Sequence, residues 1–235
     1  MISESSKKNY FKILRISSRP SFKNPGKGLA PFILSQSDNF ETILFSPSAA
    51  KDDFDLLPKK NISKIFNFPF VFKPLPFKAT SLIRLISTFN RVLKILLNSV
   101  SILLNKSIYN CNIVHIHHII YSIPAIVLKL KGAKIFITIH GSDIHKIRNN
   151  NFMILLLSLF DLILCVSESQ KIILSKSLPS KKIQKISNGV DAKFFEPSKD
   201  YMLRENFIIS VGNLRWQKNF KLLINSFANI HNKLP

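Results

Sequence analysis

With 235 residues, of which 46% are hydrophobic, the chain can form one large domain, or one domain and part of another, and it is too apolar to be disordered throughout. Its formal net charge of +21 favours polyanionic partners, namely nucleic acid, anionic lipid head groups or phosphorylated small molecules, although a coding bias towards Lys, Asn and Ile would give the same surplus. Because the sequence has no arginine-rich tract and no aromatic RNA-binding signature, we do not expect nucleic acid as a partner.

The sequence gives no sign of secretion or of a membrane span. The first eight residues are polar and charged, and the longest apolar run, residues 82–104, is interrupted by three basic residues. Cys111 and Cys165 lie in or beside apolar runs, which indicates reduced core residues. We therefore expect a cytoplasmic protein, and peripheral association with the inner face of the cell membrane stays open.

The first part of the chain predicts three strands, at residues 11–16, 42–45 and 64–68. Gly26 and Gly28 lie in the loop after the first strand, and a helix is predicted to begin near Gly28. A strand, a glycine loop and a helix start can together cradle a phosphate, because backbone N–H groups point at the anion. The PGKG motif is far from a full dinucleotide fingerprint.

Residues 81–105 form the clearest predicted helix, because apolar side chains repeat at helical spacing and basic residues and asparagines fall on the other side. We favour a helix that covers the sheet with its apolar side and exposes its polar side. The alternative is a basic amphipathic surface near a membrane.

In the second part, strands alternate with helices. The predicted strands are residues 112–117, 134–139, 161–166 and 182–187. The predicted helices are residues 118–132, closed by Gly132, then 151–159, and one that begins with a capping box at Ser167. This alternation predicts an α/β fold with a doubly wound parallel sheet.

Polar residues follow the strand at 134–139. His140, Gly141, Ser142 and Asp143 come where that strand ends, and ligands in open α/β sheets bind beyond the carboxyl ends of the strands. These residues are therefore a candidate site. The structural alternative is that Gly141 makes a turn and that Ser142 or Asp143 caps the next helix.

Histidines also cluster at the strand predicted at 112–117. His115 and His117 share a face, as two ligands of a metal would. No cysteine or carboxylate joins them at ligand spacing, so we expect no metal site and histidines that point out at the strand end.

The composition of the chain changes after residue 193. The segment 194–206 is polar and broken by proline, which predicts a linker after a first domain at residues 9–193. Residues 207–211 predict a further strand and 221–230 a helix. One βα unit cannot bury its own faces, so the segment 207–235 either docks on the first domain or is the start of an incomplete second one.

Five motifs in order resemble those of the family 4 glycosyltransferases: IVHIH, ITIHGSD, LILCVSESQKIIL, KKIQKISNGVDAKFF and IISVGNLRWQKNFKLLINSFANI. The resemblance covers roughly residues 112–230 well and the first strand and glycine loop loosely. It implies the N-terminal half of a GT-B fold, in which two Rossmann-like domains face a cleft. Residues 9–193 would be the acceptor-side domain, and residues 207–235 the first βα unit of a truncated donor-binding domain.

The resemblance also implies an activity. Such enzymes move a sugar from a nucleotide-diphosphate donor to an acceptor, with retention and usually without a metal, in glycan, glycolipid or polysaccharide biosynthesis. Cations and helix-start N–H groups can stabilise the leaving diphosphate without a cofactor. Many members use lipid-linked acceptors at the membrane. The alternative is a non-catalytic remnant or split-protein domain that binds a lipid-linked or anionic acceptor.

Several residues match the family's donor motifs. Gly26 and Gly28 would approach the donor phosphates. Lys218 matches the lysine of a Gly-Arg-Leu-x-x-x-Lys loop that binds the diphosphate. Asn213 stands at the arginine position, and Arg215, two residues on, is the candidate replacement.

By the same comparison, His140 is the catalytic candidate, facing the transferred sugar. The residues expected to line the cleft or form its turns are His117, Gly141, Ser142, Asp143, Asn188, Gly189 and Asp191. Ser187 departs from the family's proline. Glu205 is the last acidic residue of the chain, so the family's Glu-x7-Glu donor motif is missing, and we expect the isolated chain to be inactive or very weak.

Overall fold

The computed structural model describes residues 11–16, 40–47, 62–68, 80–141, 143–187, 208–212, 214 and 218–230. The chain divides into two compact units, residues 1–192 and 193–235. The linker predicted at 194–206 lies outside the described residues.

The first unit contains one sheet of seven parallel strands in the order β3-β2-β1-β4-β5-β6-β7. The strands are β1 (Phe11–Ile16), β2 (Phe40–Pro47), β3 (Ile62–Phe68), β4 (Ile113–Ile116), β5 (Lys134–Ile139), β6 (Leu162–Cys165) and β7 (Ile183–Lys185). The chain builds outwards from β1 to β3, crosses back to β4 and then builds in the other direction. The predicted doubly wound parallel sheet is therefore confirmed, with its topological switch point between β1 and β4.

From β3 onwards, helices connect the strands. The α-helices described in the first unit are α1 (Ser81–Leu104), α2 (Ser122–Leu130), α3 (Ile144–Ile147), α4 (Asn151–Ser158) and α5 (Glu168–Ser175), and short 3-10 turns lie at Lys106–Ile108, Ile119–Tyr121 and Ser180–Lys182. Gly132 has φ +99 and closes α2, because its N–H donates to Lys129 and the next N–H to Leu128, as in a Schellman motif. None of the described helices combines the length and apolar character that a membrane-spanning helix requires.

The capping box predicted at the start of α5 forms, but one of its two hydrogen bonds uses a donor one residue earlier in the chain. The Ser167 hydroxyl accepts a hydrogen bond from the Gln170 N–H at 3.4 Å, as expected. The Gln170 side chain accepts from the N–H of Val166 at 3.1 Å, one residue before the expected partner. Both bonds satisfy backbone donors where the chain leaves β6 and enters the helix.

The two faces of the central strands differ in chemistry. Residues two apart on a strand share a face, and the parallel register aligns Leu14, Val114 and Ile135 in one row. We call this side the apolar face, since these residues are fully buried in the hydrophobic core. Arg15 and His115 are aligned on the opposite side, which we call the polar face.

A clasp closes the amino edge of the sheet. The Lys129 ammonium donates to the Asp161 carboxylate at 2.8 Å and to the Leu159 carbonyl at 2.7 Å. The other Asp161 oxygen accepts from the Ile135 N–H at 2.8 Å. This Lys129–Asp161 clasp joins the end of α2 to the first residues of β5 and the approach to β6.

Helix α1 does not cover the sheet in the predicted way. Its buried residues are Asn98, Ser99 and Ile102, near its carboxyl end. Asn98 interacts with buried Tyr121 and lowers the pKa of its hydroxyl, which burial raises to about 12, so a polar residue of the helix faces inwards. The apolar residues that repeat at helical spacing are exposed: Leu85, Ile86, Phe89, Leu93, Leu96 and Val100. The prediction that the apolar side of α1 covers the sheet is therefore wrong.

The two cysteines fit their predicted place in the core. Cys111 and Cys165 are buried and unbridged, and burial raises the pKa of each thiol to about 11. Both thiols therefore stay protonated at neutral pH.

The second unit contains helix α6 (Phe220–Ile230), which exposes its apolar side chains to solvent. Asn219 precedes it with φ +44, and its side chain accepts a hydrogen bond from the Leu222 N–H at 3.4 Å. The described residues 208–212 form no strand, so the strand predicted at 207–211 is wrong over that stretch. A strand needs neighbours to satisfy its backbone groups, and the described part of this unit offers no other strand.

Candidate functional site

The polar face carries a cluster of side chains at the carboxyl edge of β1, β4 and β5. Arg15 and His115 are the penultimate residues of β1 and β4 and stand opposite each other. Thr138 is the penultimate residue of β5, and His117 and His140 follow the ends of β4 and β5. We call these five residues the polar cluster. All are buried except His140, which is half-buried.

Hydrogen bonds fix the state of His115. Arg15 Nη1 lies 3.3 Å from His115 Nδ1, and His115 Nε2 lies 2.8 Å from the Thr138 hydroxyl. Because a guanidinium can only donate, Nδ1 must accept, and the ring proton is on Nε2, where it is donated to Thr138. Burial, helped by the positive charge of Arg15, lowers the pKa of His115 to about 3. His115 is therefore neutral at physiological pH.

Arg15 keeps its charge. It is only 8% exposed, and burial lowers its pKa to about 10, still well above neutral pH. A buried positive charge at the ligand-binding edge of the sheet, beside neutral imidazoles, makes this part of the molecule electropositive.

His117 and His140 complete the cluster. The His117 ring lies 4.2 Å from that of His115 and 6.0 Å from that of His140, centroid to centroid, and the His117 and His140 rings are stacked. Burial lowers the pKa of His117 well below its usual value, with further lowering from nearby His115 and Arg15. Burial also lowers the pKa of His140, although Asp143 acts in the opposite direction. Neutral imidazoles can both donate and accept hydrogen bonds.

A tight turn positions His140. The Asp143 N–H donates to the His140 carbonyl at 2.9 Å, and the Asp143 carboxylate accepts from the His140 N–H at 3.3 Å. The predicted turn is thus present, with Gly141 at its exposed corner. The capping role predicted for Asp143 is wrong, because its side chain makes no cap bond to α3 and binds back to His140 instead. The alternative cap, Ser142, lies outside the described residues.

The structure brings together some of the predicted site residues. His117, His140, Gly141 and Asp143 lie at one edge of the sheet. Lys218 belongs to the second unit, where it is exposed and its side chain runs beside Gly212. The predicted residues outside the described part of the chain are Gly26, Gly28, Ser142, Asn188, Gly189, Asp191 and Arg215. Their roles stay predictions.

No three His, Cys, Asp or Glu side chains in the described ranges lie close enough together to hold a metal ion. His115 and His117 point to the same side, as predicted, but His115 uses both ring nitrogens in protein contacts.

Sequence reasoning missed Arg15 and Thr138. For Arg15 the available signal was a charged residue near the carboxyl end of the run FKILRI, in a strand that needs apolar residues on both faces. A charged residue there calls for a buried partner, and the partner is His115.

Residues 36–194 match the model of a protein family described as Glycosyltransferase Family 4. That range contains the polar cluster except Arg15. Taken with the sheet order, the match confirms the predicted Rossmann-like sheet as the N-terminal half of a GT-B fold.

Solved structures are similar to the chain at low identity. They include Anabaena HepE in complex with UDP and glucose (TM-score 0.48, 16% identity, 81% of this chain and 48% of that one). They also include the lipopolysaccharide outer core galactosyltransferase WaaB in its apo form (0.45, 17%, 77% and 46%) and Acinetobacter baumannii MurG (0.42, 13%, 78% and 48%). The chain spans about half the length of these proteins. No curated protein sequence is significantly similar to it.

Proposed function

Because the chain belongs to Glycosyltransferase Family 4, as its ordered motifs predicted, we propose that it supplies the acceptor-side half of an enzyme that transfers a sugar from a nucleotide-diphosphate donor to an acceptor hydroxyl. The observation that carries the proposal is the polar cluster, which places one buried cation and three neutral histidines at the carboxyl edge of the sheet. In the proposed reaction, the bond between the anomeric carbon and the diphosphate oxygen breaks. A bond from the acceptor oxygen forms on the same face of the sugar, and the acceptor O–H bond breaks as its proton passes to the departing diphosphate.

The electrostatics of the cluster support a role for His140 at the transferred sugar. Its half-exposed ring is held by the turn with Asp143 and stacks on His117, so it offers a neutral, oriented hydrogen-bonding group. The fixed charge of Arg15 favours negative charge nearby, which develops on the diphosphate as it leaves. We assign the diphosphate itself to Lys218, Arg215 and the glycine loop, and we expect no metal in the reaction.

The proposal divides the chain as the family does. Residues 9–193 form the acceptor-side domain, 194–206 the linker and 207–235 the start of a donor-binding domain. The proposed acceptor is a glycan or a lipid-linked sugar at the inner face of the cell membrane.

A domain exchange tests this assignment. Residues 1–206 replace the first domain of a characterised family member, and transfer from its own nucleotide sugar is measured with a panel of sugar and lipid-linked acceptors. We expect turnover, and we expect His140→Ala to lower kcat by about a hundredfold or more, because a group that acts in the transition state is lost.

The matched control is His145→Ala, since His145 is an exposed residue on α3. Equal rates for the His140 and His145 variants would show that His140 is not catalytic. If the exchanged protein fails to fold, the same two variants of the full 235-residue chain are compared for acceptor binding by saturation-transfer NMR.

The second candidate is a non-catalytic acceptor-binding domain. It is favoured by Asn213, which stands where the family's diphosphate-binding loop has an arginine. The unaltered 235-residue chain, given a panel of nucleotide sugars, should show no turnover above background. Robust turnover would overturn both the division of labour proposed above and this second candidate.

A further inference from the structure

The turn beside the polar cluster fixes the backbone of His140 but not its ring. Both hydrogen bonds of that turn use backbone groups of His140, its N–H and its carbonyl oxygen, and both join it to Asp143. They leave rotation about the two side-chain bonds of His140 free. Among the described residues, no side chain forms a hydrogen bond with the His140 ring. Within that part of the chain, the orientation of the ring therefore comes from packing.

The ring that packs on His140 is that of His117. The two rings are stacked, with their centroids 6.0 Å apart and an angle of 26° between their planes. Aromatic rings interact at centroid distances of about 4.5–7 Å, and stacking aligns the plane of one ring with that of the other. Because His140 is half-buried, His117 supports its ring from the protein side while part of the ring faces solvent.

The backbone on both sides of His117 is tied down. The His117 N–H donates to the Ile16 carbonyl at 2.9 Å, which continues the bonding between β1 and β4 one residue beyond β4. The next residue, His118, caps the following 3-10 turn, where its ring accepts a hydrogen bond from the Ile120 N–H at 3.3 Å. The His117 side chain is buried, so its ring has little room to move.

The other neighbour of the His117 ring is His115, whose ring is fixed by hydrogen bonds. The centroids of the His115 and His117 rings are 4.2 Å apart. The His115 ring is bonded through one nitrogen to Arg15 and through the other to Thr138. Ring contacts therefore run outwards from the fixed His115 through His117 to the half-exposed His140.

We propose that His117 is a positioning residue, which sets the plane of the His140 ring so that a ring nitrogen is directed at the transferred sugar. The inference rests on the proposed function and assigns to His117 a task within that site. His117 acts through His140 and takes no part in bond making or breaking. Its effect on rate comes from orientation, since a small misplacement of a reacting group can lower a rate by up to about a hundredfold.

The first test observes the His140 ring directly in the full 235-residue chain. Long-range proton–nitrogen correlation spectra report the tautomer and mobility of each of the six histidines, and His140→Ala identifies the His140 signals. His117→Leu fills the buried space without a flat ring, and we expect it to shift and broaden those signals. His117→Phe keeps a flat ring and should restore sharp signals. His117→Asn, which also removes the ring, replaces the leucine variant if that variant does not fold.

The control for these spectra is His145→Leu, at an exposed position of α3, which should leave the His140 signals in place.

The second test is a double-mutant cycle in the domain-exchanged enzyme. His117→Leu should lower kcat by about tenfold or more and change KM by less than about threefold, and His117→Phe should recover most of the lost kcat. In a chain that already carries His140→Ala, His117→Leu should lower kcat by less than about twofold further, because no ring is left to orient.

Two results would overturn the proposal. One is a set of His140 signals that stays unchanged in the leucine and asparagine variants. The other is a loss of kcat in the double variant that equals the product of the two single losses, which would show that His117 acts independently of His140. Equal rates for the parent enzyme and His140→Ala would instead overturn the proposed function, and the spectra would still decide whether His117 orients the ring.

Discussion

The apolar and polar faces of β1, β4 and β5 are made by alternate residues of the same strands, yet they do different things. One face buries aliphatic side chains in the hydrophobic core. The other aligns Arg15, His115 and Thr138 in a hydrogen-bonded chain. Each buried polar group needs a partner, so the polar face costs stability wherever that chain is broken. The two-residue period of the strand therefore separates the residues that stabilise the fold from those that form the candidate site.

The largest expected effect comes from breaking the apolar face. Ile137 is fully buried in β5 between Ile116 and Ile163. Ile137→Ala should lower the free energy of unfolding by about 3 kcal/mol, since it removes buried carbon atoms and leaves a cavity. Urea denaturation followed by circular dichroism measures the change. The control is Leu130→Ala on exposed α2 surface, and a similar loss there would argue against the assigned core.

Removing a hydrogen bond from the polar face should lower the free energy of unfolding by a smaller amount. Thr138→Val keeps the shape of the side chain but removes the acceptor of the His115 ring N–H. A buried donor is left unsatisfied, and we expect a loss of about 2 kcal/mol in the free energy of unfolding. Thr138→Ser keeps the hydroxyl and is the matched control. A serine variant as unstable as the valine variant would show that the hydroxyl is not what matters.

The protonation of His115 gives the polar face a pH dependence that the apolar face lacks. The pKa of His115 is about 3 when folded and about 6.5 when unfolded, so below about pH 6.5 the unfolded chain binds more protons. The contribution of neutral His115 to the free energy of unfolding is therefore fully present above about pH 6.5. It is lost progressively as the pH falls from there towards about 3. His115→Gln should make the slope between pH 6 and 5 shallower by up to about 1.4 kcal/mol per pH unit.

The free energy of unfolding is measured by urea denaturation at several pH values between 5 and 6. The slope of that free energy with pH is compared between variants, because the substitution also changes its absolute value. His145→Gln, at an exposed position, is the control. An unchanged slope in the His115 variant would mean that His115 is not buried in its neutral form.

The smallest expected effect is at the turn beside the polar cluster. A Cβ added at Gly141 would meet no atom within 4 Å, and the residue does not have a left-handed φ. Gly141→Ala should therefore change the free energy of unfolding by less than about 0.5 kcal/mol. A larger loss, measured by the same denaturation, would show that the turn needs glycine.

Sequence patterns predicted the sheet well because its strands are short apolar runs separated by turn signals. The strand predicted at 11–16 is reproduced residue for residue, and β5 likewise. The direction that α1 faces could not be predicted. Helical spacing shows that a helix has an apolar side, but not whether that side meets the sheet. Here the buried residues of α1 include Asn98 and Ser99.

The candidate site was predicted in part. The position of His140 after a parallel strand pointed to the correct edge of the sheet. The Asp143 side chain was assigned a local capping role, but the bond back to His140 competes with capping and prevails. The pairing of Arg15 with His115 joins residues 100 positions apart, so only the strand order could reveal it.

The Lys129–Asp161 clasp has a consequence for amide exchange. It fastens the amino edge of the sheet through the Ile135 N–H, while the carboxyl edge ends in the His140 turn, whose N–H makes a longer bond. Local opening begins where backbone bonds are weakest, so deuterium should enter His140 long before Ile135. We therefore expect the sheet to open first at the edge that carries the polar cluster and last at the edge that carries the clasp.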